Sequence, residues 1–169
     1  FDKVAREVGL PYPGGPSVQK AALLGEAKIK FINHPINKND FSFSYSGLKT
    51  AVINYLHNAR QRAKEINVSD VCASFQEEAT SQVAIKAINA CLKFNYNKLV
   101  ISGGVSANLC LREKLDELAK EHNIEVFYPE LVLCTDNAAM IASAAYYNFK
   151  ANKGIANPMT LAPSSNIPL

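Results

Sequence analysis

Long apolar segments are missing from this 169-residue chain, because no run approaches the roughly 18 residues that a membrane helix needs. A secretory signal sequence and internal repeats are missing as well. These absences exclude a membrane-spanning protein, and the 48% hydrophobic composition excludes a largely disordered one. The length predicts one domain, or one and a part of another. Because the first residue is Phe1 and not Met, we expect the chain to be a segment of a longer protein.

Metal-ligand spacing is also missing from the cysteines and histidines. The four cysteines form no CxxC pair, so neither a zinc knuckle nor a redox pair is indicated, and reduced thiols are the simpler interpretation: Cys72, Cys91, Cys110 and Cys134. The three histidines show neither HxxxH nor HExxH spacing, and we expect them at the surface or in loops: His34, His57 and His122. The net charge of +3 permits a nucleic-acid partner but does not by itself argue for one.

The first half of the chain predicts helices that are separated by polar or proline-rich loops. Four helices are predicted: 2–8 closed by Gly9, 17–27 with Ser17 as N-cap, 46–65, and 69–92 with Ser69 as N-cap. Residues 10–16 are rich in proline and residues 33–40 are polar, so we expect loops there. The strict alternation of Phe41–Tyr45 predicts a half-buried strand. In the fourth helix, apolar residues recur every four positions and predict a buried face: Val71, Phe75, Ala79, Val83, Ala87 and Cys91.

The last third of the chain alternates between strand and helix patterns. Strands are predicted at 98–102 and 124–128, and helices at about 106–121 and 136–150. Strand, helix, strand, helix indicates a crossover unit with helices packed on a parallel sheet, so the predicted fold class is α/β. Residues 155–169 contain several prolines and predict a loop-like tail.

The loop Ser102–Asn108, between a strand and a helix, is a candidate ligand site. Its two glycines allow the backbone to approach a ligand closely, and the free N–H groups of the following helix favour an anion. The loop matches neither GxGxxG nor GxxxxGK[ST], so no standard nucleotide fingerprint applies. A plain strand-to-helix turn with Ser106 as N-cap is the alternative.

Two carboxylates stand at other candidate sites. Asp136 precedes a helix, where capping is the simpler interpretation and metal ligation the functional one, although one carboxylate cannot hold a metal alone. Asp2 could pair with Lys3 or Arg6 at the surface, or could accept hydrogen bonds from both hydroxyls of a ribose. Gly15 could admit a ligand against bare backbone.

Five motifs follow one another along the chain: FDKVA at 1–5, YPGGP at 12–16, FSYSGLKT at 43–50, SGGVSAN at 102–108 and CTDN at 134–137. With these motifs in this order, the chain strongly resembles the C-terminal half of the tRNA adenosine threonylcarbamoyltransferase family, called TsaD in bacteria and formerly O-sialoglycoprotein endopeptidases. The resemblance covers essentially the whole chain.

The resemblance implies an actin-like ATPase fold of the ASKHA class, in which two ribonuclease-H-like lobes enclose a nucleotide. Residues 1–169 would be the C-terminal half of this two-lobed transferase. The implied reaction moves a threonylcarbamoyl group from threonylcarbamoyl-adenylate to N6 of the adenosine next to the anticodon, at position 37, in tRNAs that read codons beginning with adenine, and AMP leaves. The implied partners are tRNA, threonylcarbamoyl-adenylate and the proteins of the modification complex, in the cytoplasm and not at a membrane.

The motifs also imply site residues. By resemblance, Asp2, Gly15 and Asn108 bind the adenylate, and Asp136 is a ligand of one divalent metal ion, usually iron. No catalytic nucleophile is implied. The two histidines that complete the family's metal site belong to an HxxxH motif that this chain lacks, so we expect the remaining ligands outside it and the isolated segment to be inactive.

Two other functions remain open at this stage. The chain could be a non-catalytic lobe or scaffold subunit of the modification complex. A metallopeptidase is disfavoured, because a metal-bound water and a general base are needed and HExxH is missing.

Overall fold

The computed structural model describes residues 1–32, 41–151 and 162 of the chain. The predicted loop at 33–40 lies outside the described residues, as does the predicted tail at 155–169 apart from Ala162. The chain divides into two compact units, residues 1–134 and residues 135–169, each of which is described by itself.

Helices α1 to α4 form most of the first unit, and they span Asp2–Glu7, Gly14–Ala22, Tyr45–Gln61 and Val68–Lys93. Helix α1 gives way to Gly9 at φ +80°, a left-handed conformation that glycine adopts without strain, as predicted. Helix α4 begins where Asn67 accepts hydrogen bonds from the N–H groups of Ser69 and Asp70. The prediction of Ser69 as the N-cap is therefore wrong by two residues.

Helix α2 begins three residues earlier than predicted and ends at Ala22 instead of near Ala27. The extended Pro13 precedes it, so Ser17 is not the N-cap. Pro16 is tolerated because it lies in the first turn, where its missing N–H would have no partner within the helix. The assumption that a proline-rich stretch excludes helix thus fails for the last three residues of 10–16.

The predicted strand at Phe41–Tyr45 is wrong. Residues 41–44 have no regular structure, and Tyr45 begins α3, whose N-cap Ser44 accepts a hydrogen bond from the Gly47 N–H. The alternation has another cause, because the rings of Phe43 and Tyr45 stack with their centroids 5.9 Å apart and their planes 5° apart. The ammonium group of Lys86 on α4 lies 5.3 Å from the Phe43 ring. Aromatic and cation–π contacts therefore hold this segment, rather than strand pairing.

Helix α4 contacts two apolar clusters of the first unit. One joins it to α1, α2 and α3 through residues that include Val4, Val18, Leu48 and Leu56. Of the predicted stripe, Val71, Phe75, Ala79 and Cys91 are buried, whereas Val83 and Ala87 are half-buried. The predicted buried face is therefore confirmed for four of its positions.

The second cluster lies under a small parallel sheet. Strands β1 (Lys98–Val100) and β2 (Glu125–Phe127) pair in parallel, with Leu99 opposite Val126. Between them runs α5 (Leu109–Glu121), which buries Leu115 against α4. Complete burial of one leucine side chain stabilises a fold by about 1.5–3 kcal/mol. This arrangement confirms the predicted crossover unit and the α/β class.

The described part of the second unit is mainly α6, which spans Ala138–Lys150. Its N-cap is Asn137, whose side-chain oxygen accepts a hydrogen bond from the Met140 N–H. In neither unit does a described helix combine the length and the apolar character needed to cross a membrane.

A buried carboxylate attaches the segment after α2 to α4. Asp70 accepts a hydrogen bond of 2.9 Å from the Glu26 N–H, and its other oxygen lies 2.7 Å from the Lys28 ammonium group. The hydrogen bond from Lys28 is the main reason why the pKa of Asp70 lies below its ordinary value of 3.8, and the Glu26 N–H adds to the effect.

We predict that Asp70 contributes to the sensitivity of the complete protein to acid. Because folding lowers the pKa of Asp70, its contribution to stability is full above the ordinary pKa and is lost as the pH falls through the lower folded value. The melting temperature of Asp70→Asn should therefore fall less than that of the wild type between about pH 5 and about pH 3. Glu117→Gln, at an exposed position on α5, is the control. Parallel pH curves for wild type and Asp70→Asn would contradict this role.

Candidate functional site

The Asp2 carboxylate joins the beginnings of two helices. It lies in the first turn of α1, and its Oδ1 accepts a hydrogen bond of 2.7 Å from the Gly14 N–H in the first turn of α2. Within the described residues it forms no ion pair with Lys3 or Arg6, so the simpler surface pairing is not observed. Oδ2 likewise forms no hydrogen bond with a described residue.

The two glycines of the YPGGP motif differ in what surrounds them. A Cβ atom on Gly14 would lie 2.5 Å from the Asp2 Cα and 2.7 Å from its Oδ1. Both distances are shorter than the contacts that real Cβ atoms make. A Cβ atom on Gly15 would have no described heavy atom within 4 Å. Gly14 is therefore needed for the contact with Asp2, whereas Gly15 leaves open space beside the same helix start.

Asn108, and not Ser106, is the N-cap of α5. Its Oδ1 accepts a hydrogen bond from the Leu111 N–H at 3.0 Å, and its Nδ2 donates to Oε1 of Gln76 on α4 at 2.9 Å. Its side chain is buried, with 8% of the residue surface exposed. Asn108 therefore fixes the loop against α4, and its contact with a ligand stays a prediction.

The start of α5 offers fewer free donors than its sequence indicated. The Leu109 N–H donates to Oε1 of Gln19 on α2 at 2.9 Å, and the Leu111 N–H is taken by Asn108. Two of the N–H groups expected to attract an anion are thus satisfied by the protein itself. Sequence reasoning missed both glutamines, because each has polar neighbours in its helix and no local pattern distinguishes it: Ser74, Glu77 and Glu78 near Gln76, and Ser17 and Lys20 near Gln19.

A cavity of about 770 Å³ lies beside Asp2. Its described lining comes from the start of α1, the start of α3, the middle of α4, the end of β1 with the loop that follows it to Ser106, and Leu111 of α5. Much of the lining is apolar: Phe1, Val4, Phe75, Ala79, Val83 and Leu111. The remaining lining includes Asp2, lysines and hydroxyl groups. Such a combination suits a ligand with a flat apolar part and a polar or charged part.

The structure brings three of the predicted site residues into one region of the first unit. Asp2 lines the cavity, and Gly15 follows the glycine that binds Asp2. Asn108 follows the cavity-lining loop, and the next residue is bonded to Gln19 on α2. Gly15 and Asn108 themselves are not part of the cavity wall.

Asp136 belongs to the second unit, whereas the other three belong to the first. It is exposed, it precedes the N-cap Asn137, and its carboxylate forms no hydrogen bond or ion pair with a described residue. Capping, the simpler interpretation of Asp136, is therefore wrong. In residues 1–32 and 41–151, no three side chains of the His, Cys, Asp and Glu types come together. Asp136 is thus an available carboxylate, but the described residues contain no complete metal site.

The cysteines lie away from any such cluster and carry free thiols. Cys72, Cys91 and Cys134 are buried, and burial raises the pKa of Cys72 to about 11. Cys110 is half-buried, and its Sγ lies 3.3 Å from Oγ1 of Thr80, a residue of the cavity wall. Burial also raises the pKa of Cys91, and a raised pKa disfavours the reactive thiolate form at Cys72 and Cys91. Of the histidines, His57 and His122 are exposed, and His34 lies outside the described residues.

The adjacent glycines provide a matched pair of substitutions. We predict that Gly14→Ala lowers the melting temperature of the complete protein, because the new methyl group displaces the Asp2 carboxylate. Gly15→Ala should leave the melting temperature within about 2 °C of the wild type, because the site is open and alanine favours helix. Thermal denaturation monitored by circular dichroism measures both. Equal stability of the two variants would show that the Asp2–Gly14 contact is unimportant.

Comparison with known proteins identifies the family. A family model described as TsaD, tRNA N6-adenosine threonylcarbamoyltransferase, matches residues 1–143. The chain is 44% identical over 167 residues to a protein of that name from Staphylococcus haemolyticus, and 42% identical over 165 residues to one from Clostridium botulinum strain Kyoto. These matches cover 99% and 97% of the chain but only 48% of each relative, so the chain spans about half the length of the curated relatives it matches. The chain belongs to the tRNA N6-adenosine threonylcarbamoyltransferase family, as its motifs predicted.

Proposed function

We propose that the protein containing this chain transfers a threonylcarbamoyl group from threonylcarbamoyl-adenylate to N6 of adenosine 37 in tRNAs that read codons beginning with adenine. The observation that carries the proposal is the family match over residues 1–143. The Asp2 cavity supports it, because a lining that combines apolar side chains with a carboxylate and two lysines suits an adenylate.

Asp2 is suited to bind the ribose of the adenylate. The Gly14 N–H occupies Oδ1 and holds the carboxylate in place, while Oδ2 has no partner among the described residues. A carboxylate held in this way can accept hydrogen bonds from ribose hydroxyls without reorganising. Gly15 leaves room beside this group, and Asn108 fixes the cavity-lining loop before it to Gln76 on α4.

The reaction needs no nucleophile from the protein. The N6 amine attacks the carbamoyl carbon and forms the N–C bond, the C–O bond to the phosphate breaks, and AMP leaves with the bonding electrons while the amine loses a proton. Positioning the two substrates is then the main contribution of the chain's own residues. The described residues supply apolar and polar walls for this purpose and no Ser–His–Asp arrangement is required.

The proposal extends to the parts that a half-length chain does not contain. We infer an actin-like fold with two ribonuclease-H-like lobes, in which the parallel crossover unit belongs to the C-terminal lobe. The partner proteins of tRNA modification remain part of the proposal, as does the cytoplasm, the compartment where tRNA is used. Asp136 is proposed as one ligand of a divalent metal ion, iron by family resemblance.

We predict that Asp2→Asn impairs the transferase reaction without unfolding the complete protein. Asparagine can still accept the Gly14 N–H, but its neutral oxygen binds ribose hydroxyls more weakly than a carboxylate does. We expect kcat/KM for threonylcarbamoyl-adenylate to fall about tenfold to hundredfold, since a hydrogen bond to a charged group contributes about 1.5–3 kcal/mol. The formation of modified adenosine in tRNA, measured by mass spectrometry of nucleosides with the partner proteins present, tests this.

Glu117→Gln serves as the control for that assay and should match the wild type. If the wild-type protein produces no modified adenosine under these conditions, the transferase proposal is wrong. A non-catalytic lobe or scaffold subunit would then be the better interpretation.

A second substitution tests the metal proposal. We predict that Asp136→Asn lowers the metal content of the complete protein, because an amide oxygen is a weaker ligand than a carboxylate oxygen. Inductively coupled plasma mass spectrometry of protein loaded with Fe²⁺ under anaerobic conditions measures the metal content. Asp136 forms no described contact that supports the fold, so the melting temperature of the unloaded variant should equal that of the wild type. A variant that retains the full metal content would exclude Asp136 as a ligand.

A further inference from the structure

One wall of the Asp2 cavity is the start of helix α3. Tyr45, Ser46 and Lys49 all line the cavity. The N–H groups of Tyr45 and Ser46 form no hydrogen bond with a described residue, and that of Gly47 makes only a long contact of 3.4 Å with the Ser44 hydroxyl. The first N–H groups of a helix carry a partial positive charge, and α3 is 17 residues long. This contrasts with α5, where the N–H groups of Leu109 and Leu111 donate to Gln19 and Asn108.

Two lysines add full charges to the same cavity. Lys49 lies one turn into α3 and is half-buried, and Lys3 lies on α1. Neither forms an ion pair or hydrogen bond with a described residue. Among the described residues of the lining, Asp2 is the one carboxylate, and its Oδ1 accepts a hydrogen bond from the Gly14 N–H. The described lining therefore carries more positive than negative charge, and the positive groups have no partner there.

An unsatisfied hydroxyl group borders the cavity from another element. Ser106, in the loop after β1, is only 1% exposed, and its Oγ has no hydrogen-bond partner in the described part of the chain. Leaving a buried hydroxyl unpaired is costly, and such groups in native proteins usually have a partner when the site is occupied. The hydroxyl can donate to an acceptor oxygen of a ligand, which makes it independent evidence for an anionic or oxygen-rich group in this cavity.

We propose that the start of α3, Lys49, Lys3 and Ser106 form a subsite that binds the phosphate group of a nucleotide. The assignment of this nucleotide as the adenylate rests on the proposed function, but the binding of a phosphate does not. The subsite also acts on the reaction. When the C–O bond breaks, its electrons move to a phosphate oxygen, and the charge on the departing AMP increases. Lys49 and the N–H groups therefore stabilise the leaving group more than the bound substrate, so part of their effect is on kcat.

AMP and adenosine, titrated into the complete protein by isothermal calorimetry, distinguish phosphate binding from nucleoside binding. We expect Lys49→Gln to weaken AMP binding about tenfold while adenosine binding changes less than about twofold, since only AMP carries the charge that Lys49 contacts. Ser106→Ala should weaken AMP binding by a smaller factor. Lys49→Arg keeps the charge and should retain most of the affinity. Lys20→Gln, at an exposed lysine on α2 outside the cavity, is the matched control.

Three results would overturn the proposal. These are wild-type protein that binds AMP no more tightly than adenosine, equal losses for AMP and adenosine in Lys49→Gln, and equal losses for AMP in Lys49→Gln and Lys20→Gln. RNA is a second source of phosphate, so an anticodon stem-loop RNA is titrated in parallel. If Lys49→Gln weakens RNA binding but not AMP binding, this wall contacts the RNA backbone and the proposal is wrong.

The transferase assay separates this proposal from the proposed function. Selective loss of AMP affinity in a protein with no transferase activity would support the subsite and refute the function. An active transferase in which Lys49→Gln leaves the AMP affinity unchanged would support the proposed function and refute the phosphate subsite. In an active enzyme we expect Lys49→Gln to lower kcat as well as raise KM, whereas damage to the fold alone would also lower the melting temperature.

Discussion

Helix α4 must bury apolar side chains on two sides, and the arrangement of the first unit depends on this constraint. One side contacts α1, α2 and α3, and the other contacts α5 and the sheet. The same 26-residue helix provides Asp70 for the segment after α2, Gln76 for the loop before α5, and Lys86 for the segment before α3. These three polar contacts fix irregular segments that have little apolar surface of their own. The cavity lies beside the middle of this helix, where the starts of α1 and α3 and the loop after β1 approach it.

The parts of the fold that local patterns encode were predictable. The crossover unit follows from short apolar strands that alternate with helical periodicity, and the buried stripe on α4 follows from its four-residue spacing. Some errors were local, because the N-caps of α4 and α6 lie within two residues of the predicted ones. Others arose where a distant contact decides the structure. The Gln76–Asn108 and Gln19–Leu109 hydrogen bonds join residues 32 and 90 positions apart, and no window of sequence shows them. The aromatic alternation at Phe43 and Tyr45 fits strand and ring stacking equally well until neighbouring elements are known.

The candidate site was also predictable only in part. The family was accessible because five motifs keep their order, and Asp2, Gly15 and Asn108 were named through those motifs. Their physical roles were not accessible, because the spacing does not show that Gly14 binds Asp2 or that Asn108 caps α5 and binds Gln76. The start of α3 with Lys49 was missed as a positively charged side of the cavity, because its sequence shows no recognisable motif for a phosphate. Lys49 and Ser46 are common residue types, and only their position beside Asp2 in the cavity lining makes them informative.

The contact between Cys110 and Thr80 has a practical consequence for studying this cavity. Three of the four thiols are buried, whereas Cys110 is partly accessible and touches a residue of the cavity wall. Among the four thiols of this chain, an alkylating fluorophore will therefore react preferentially at Cys110. The attached dye would lie beside Thr80 in the cavity wall, so its emission would report changes at that wall.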